Sequence, residues 1–110
     1  MPSEACLVLT TFPAEGDVDA VARTLVEEHL AACVSTLPPM ASTYRWNGAV
    51  ERADERQLLI KTTIEAVVKL EARLKALHPY DVPEFLVLPI AGGSAAYLSW
   101  LTASATPVKP

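Results

Sequence analysis

The chain has 110 residues, enough for one domain that buries about two-thirds of its unfolded surface. A net charge of −4 without any Lys/Arg cluster argues against nucleic acid and anionic membrane as main partners. Hydrophobic residues make up 51% of it, yet no apolar run approaches the roughly 18 residues that cross a bilayer. The surplus apolar surface is therefore expected to bury against another copy of the chain.

After a short leader, Ala5 to Thr11 is a nearly continuous apolar run, the pattern of a strand covered on both faces. Asp17 is placed to cap a helix in which Val18, Val21, Ala22, Leu25, Val26 and Leu30 form one apolar stripe. His29, near the end of that helix, offsets its dipole. Ala32 to Leu37 reads as a second strand that Pro38-Pro39 bends or interrupts, and Ser42 to Asn47 resumes it. Asn47-Gly48 is the strongest hairpin signal in the chain, since both residues take positive φ readily.

The return arm starts at Ala49, with a bulge expected at Ala53-Asp54-Glu55 before Arg56 to Thr62 completes it. Thr62-x-x-Glu65 has capping-box spacing, and Thr63 is an equal candidate. Val67, Leu70, Leu74 and Leu77 stripe a second helix, followed by an apolar strand at Phe85 to Ile90. Gly92-Gly93 turns the chain and Ser94 is placed to cap a short helix from Ala95 to Ala103. The expectation is one domain over residues 1–110, with 1–4 and 104–110 loose. Its order, β-α-β-β-α-β plus a terminal helix, is an α+β, ferredoxin-like arrangement with both main helices on one sheet face. One short terminal helix cannot cover the other face. A homo-oligomer packed through the sheet, with the long bent hairpin arm gripping a neighbour, follows.

The segment Leu77-His78-Pro79-Tyr80-Asp81-Val82-Pro83-Glu84 breaks the periodic pattern. Two prolines stiffen it around an imidazole, a phenol and carboxylates. Its plain reading is a helix-to-strand connector; its functional reading is a small polar site. His78 is the best single metal ligand, since neutral imidazole suits copper, zinc or nickel, and Asp81 and Glu84 offer oxygens. Lys61, Tyr80, Tyr44, Arg45 and Trp46 are further pocket candidates, with strand packing the plainer role for the two aromatics of the hairpin. Cys6 and Cys33 have no zinc-type spacing, and with no signal peptide they indicate a reduced, cytoplasmic protein. No Gly-x-Ser-x-Gly elbow, P-loop, GxGxxG turn or H-E-x-x-H is present, so nothing argues for an enzyme.

Five ordered segments carry a resemblance: Leu30-Ala31-Ala32-Cys33-Val34, Tyr44-Arg45-Trp46-Asn47-Gly48, Leu59-Ile60-Lys61-Thr62, His78 to Glu84, and Tyr97-Leu98-Ser99-Trp100. Together they resemble the CutA divalent-cation tolerance family over nearly the whole chain. The resemblance implies a ferredoxin-like protomer in a tight homotrimer, built like the PII signalling trimers. It also implies a cytoplasmic role in tolerance of copper and other divalent cations. Its copper-ligand positions hold Thr10 in the first strand and Leu77-His78 before the proline, so His78 alone is retained. Three functions follow: a metal-responsive binding protein, an inter-subunit sensor using Lys61 and Tyr80 to hold an anion, or an assembly scaffold.

Overall fold

Ala5–Pro13 (β1) runs down the middle of the sheet, because its apolar run can be buried from both sides. In the computed structural model, which describes residues 4–107, Ala49–Thr63 (β4) pairs along its whole length and Leu86–Pro89 (β5) along its first half. Cys33–Thr36 (β2) joins the far side of β4, giving the antiparallel order β2-β4-β1-β5. Met40–Trp46 (β3) pairs with the first half of β4 as a projecting hairpin. Helices Val18–Glu27 (α1), Val67–Leu77 (α2) and Ala95–Ser104 (α3) complete the α+β architecture.

Strand alternation sorts the side chains. Val8, Phe12, Leu58 and Ile60 point to one face and join Val18, Val21 and Leu25 of α1 and Leu70 and Leu74 of α2 in the core. Full burial of each such leucine contributes about 1.5–3 kcal/mol over leaving it exposed. The opposite face carries Leu7, Leu9 and Leu59, half-buried, beside Leu86 and Leu88, which are exposed. Helix α3 covers one end of this face, where Leu101 and Ala105 pack on Ala5 and Ala32.

The hairpin closes through Asn47 (φ 50) and Gly48 (φ 79), between the paired Trp46 and Ala49. These positive angles match the right-handed strand twist, which is why Asn-Gly works there. The expected bulge is not on β4, whose register runs unbroken from Ala49 to Glu55. It falls opposite. From Thr36 to Met40 is four steps, against three from Leu58 to Glu55. Pro38 and Pro39 supply the extra residue because neither can donate to the ladder.

Asp17 caps α1, its Oδ1 accepting from the Ala20 amide at 3.1 Å. The helix ends in a Schellman arrangement: the amides of His29 and Leu30 donate to the carbonyls of Val26 and Leu25. His29 occupies the left-handed position (φ 60) that usually belongs to glycine, so its role there is conformational. Thr63, not Thr62, caps the 3-10 turn Ile64–Ala66 that leads into α2, accepting from the Ala66 amide. Thr62 instead donates to the Leu30 carbonyl at 2.7 Å. The tail expected to be loose is held as far as it is described: Ser104 closes α3, and Ala105 and Pro107 are buried. The rest of the leader and tail, residues 1–3 and 108–110, lies outside the described residues.

Candidate functional site

Pro79 forces His78 out of the helix, into extended backbone at φ −89 and ψ 136, so α2 stops there. The imidazole turns inward and stacks on Phe12, with ring centroids 4.0 Å apart. Beyond the end of β5 its Nε2 meets the Thr11 carbonyl at 2.7 Å, and its Nδ1 meets the Tyr80 amide at 3.1 Å. A carbonyl only accepts and an amide N–H only donates. The ring is therefore the neutral tautomer with the proton on Nε2. Burial pushes its pKa below the ordinary histidine value, against smaller upward effects of the Thr11 bond and the Glu55 charge.

The loop then delivers Tyr80 back onto the sheet. Its hydroxyl donates to Glu55 Oε2 at 2.8 Å, and Glu55 is itself buried. Desolvation first, then the Glu55 bond, raises the phenol well above its usual pKa, so it stays a donor. Tyr44 and Glu15 lie close enough to add to that shift. Glu84 at the far end of the loop accepts from Gln57 Nε2 at 2.9 Å, and the same nitrogen donates to the Thr10 carbonyl at 2.8 Å.

His78 and Tyr80 thus meet, with ring centroids 4.8 Å apart and Tyr44 near the phenol, while Glu84 is held separately by Gln57. Glu55 and Gln57 were missed. Both belong to the strand face that also carries Leu59 and Lys61, but only the register of β1 on β4 sets them opposite Pro13 and Thr11. Asp81 is exposed, and so are Arg45 and Trp46 on the hairpin arm. Lys61 lies elsewhere. It pairs with Leu7 while Glu55 pairs with Pro13, six residues along the same strand, or roughly 20 Å at the usual strand rise. Lys61 and Tyr80 therefore do not share a pocket within one chain. Lys61 Nζ instead donates to the Tyr97 hydroxyl at 3.2 Å.

As a metal centre the donor set of one chain is incomplete. The Nδ1 lone pair of His78 is engaged by the Tyr80 amide, and the Glu84 carboxylate is engaged by Gln57. Among the described residues no group of three His, Cys, Asp or Glu side chains is placed to hold a metal ion. Thr10 Oγ1, at the copper-ligand position implied by the resemblance, is buried without a hydrogen-bond partner and is no substitute for a soft thiolate. Cys6 and Cys33 are free thiols on opposite faces of the sheet, since Cys6 pairs with Thr62 and Cys33 with Lys61.

The fold is an antiparallel sheet that carries two helices on one face and a row of leucines on the other. Residues 6–104 match the family model described as CutA1 divalent ion tolerance protein. The divalent-cation tolerance protein CutA of Thermus thermophilus is 53% identical over 95 residues, covering 86% of this chain and 92% of that protein. The solved structure of the divalent cation tolerance protein from the same organism superposes with a TM-score of 0.90 at 49% identity, over 93% of this chain and 99% of that one. The periplasmic divalent cation tolerance protein CutA of Archaeoglobus fulgidus superposes at 0.87 and 29% identity, over 93% and 99%. The chain belongs to the CutA1 divalent ion tolerance family.

Proposed function

We propose that this chain is a metal-responsive binding protein of the divalent-cation tolerance system, acting as a homotrimer without catalysis of its own. Copper(II) or another divalent transition-metal ion is its ligand, and His78 is the imidazole donor. The observation that carries this reading is the state of His78: burial keeps the ring neutral, the form that ligates metals. Its lone pair is held by a single 3.1 Å bond from the Tyr80 amide. A cation must displace that bond, and a neighbouring copy supplies the ligands that one chain lacks. Binding is then weak and exchangeable, as suits a response rather than a store.

The leucine face supports the trimer. Leu7, Leu9, Leu59, Leu86 and Leu88 line a sheet surface that one chain covers only in part, the sort of patch that marks an interaction surface. The strand order is the one a ferredoxin-like split βαβ unit gives, which suits the PII-like trimer. We place the protein in the cytoplasm, because two unpaired thiols, one fully buried, suit a reducing compartment. No helix among the described residues is long and apolar enough to cross a membrane. Equilibrium dialysis of chelator-stripped protein against copper, zinc and nickel tests the proposal. Saturable uptake of at least one supports it, and uptake of none sinks it.

A further inference from the structure

Lys61 is a cation out of place. It stands on the open sheet face, with Leu7 and Cys33 across the strands on either side, Leu88 beyond Leu7, and Leu59 two residues before it. The chain carries 13 acidic against 9 basic residues, so carboxylates are in excess. Yet among the described residues none reaches Lys61: the ion pairs join Arg23 to Glu27, Arg52 to Asp54, Arg73 to Glu28 and Lys75 to Glu71. What holds Lys61 is aromatic. Nζ donates to the Tyr97 hydroxyl at 3.2 Å and lies 5.5 Å from the centre of that ring, and Trp100 packs against Tyr97 at 5.3 Å.

We propose that Lys61 and Tyr97, walled by Trp100, form a carboxylate-binding site on the open sheet face. The Tyr97 hydroxyl accepts from Lys61, and its own proton has no acceptor among the described residues. An ammonium and a phenol 3.2 Å apart therefore both have protons to give, at a spacing that serves the two oxygens of one carboxylate. One positive charge matches a monoanionic carboxylate better than a doubly charged phosphate. The Tyr97 bond also raises the lysine pKa, so the ammonium is charged at any physiological pH.

The assembly proposed above makes the site matter. Covering the leucine face strips water from Lys61, and a buried charge without a partner is strongly destabilising. The seam must then bring an anion. The carboxylate comes either from a free small molecule or from an acidic side chain of the neighbouring copy, and the chemistry at Lys61 is the same.

Trp46 and Trp100 are the two tryptophans, so a Trp46→Phe background makes fluorescence report on Trp100 alone. Sodium benzoate is titrated at constant ionic strength into this variant, with and without Lys61→Met or Tyr97→Phe, while light scattering records the mass. A saturable Trp100 signal, weakened about tenfold or more by either change, shows a free carboxylate to be bound. No benzoate response, combined with a loss of oligomer mass or a melting temperature lower by about 5 °C in Lys61→Met that Lys61→Arg restores, assigns the carboxylate to the neighbouring copy. No response together with unchanged mass and melting in Lys61→Met overturns the site. A monomeric wild type defeats the trimer alone, because benzoate still reads Lys61 directly.

Discussion

Tyr80 donates its hydroxyl to Glu55 across 2.8 Å, and so ties the proline-rich loop to the strand on which the hairpin arm is built. The bond is buried at its acceptor end and lies where the arm leaves the body of the sheet. Removing the phenol leaves a buried carboxylate short of a donor. Tyr80→Phe is expected to lose about 1–3 kcal/mol of stability. Chemical denaturation of Tyr80→Phe, Glu55→Gln and the double variant measures it. In the double variant the loss falls short of the sum, because the two residues act through one bond.

His78 gives stability a pH dependence whose sign is fixed by its environment. Its folded pKa is lowered from 6.5, so between the two values the unfolded chain binds more protons than the folded one. Stability therefore falls as pH drops below about 6.5. Protonation must occur at Nδ1, where it cancels the bond from the Tyr80 amide. Thermal melts from pH 7.5 to 5 are expected to lose stability more steeply in wild type than in His78→Gln.

Much of this architecture was legible in the sequence, because its signals were local. Asn47-Gly48, Pro79 after His78, Asp17 before its apolar stripe and Ser94 before α3 each act through their own backbone geometry, and each does so here. What escaped was set by register. Glu55 and Gln57 look like ordinary polar strand residues until β1 places Pro13 and Thr11 beside them. Tyr97 lies 36 residues from Lys61, and nothing in the spacing joins them. The bulge expected at Ala53-Asp54-Glu55 falls instead on the facing strand, where Pro38 and Pro39 lack donors. Thr62 and Thr63 are interchangeable by spacing, and the strand pleat chooses between them by pointing them to opposite faces.

His29 closes α1 in the left-handed region, where a side chain is strained. His29→Gly is expected to stabilise the fold by about 0.5–1 kcal/mol, net of the added freedom of the unfolded chain. Urea denaturation reads this directly. A loss would mean that the imidazole makes a compensating interaction.

Thr63 serves two elements at once. Its Oγ1 accepts from the Ala66 amide at 3.3 Å and donates to the Ala105 carbonyl at 3.0 Å, joining the start of α2 to the end of α3. Thr63→Ala is expected to cost about 1–3 kcal/mol, since it uncaps one helix and leaves a buried carbonyl unpaired. Thr63→Ser retains most of that, and hydrogen exchange at Ala66 distinguishes the two variants.

The most direct measurement is a Cu(II) titration of chelator-stripped protein, wild type against His78→Ala, with the oligomer mass recorded alongside. A wild-type trimer is expected to bind copper saturably, and His78→Ala to lose that binding while its mass stays the same. Equal binding in both proteins would contradict it, and would leave His78 as the pin that holds its loop to Thr11.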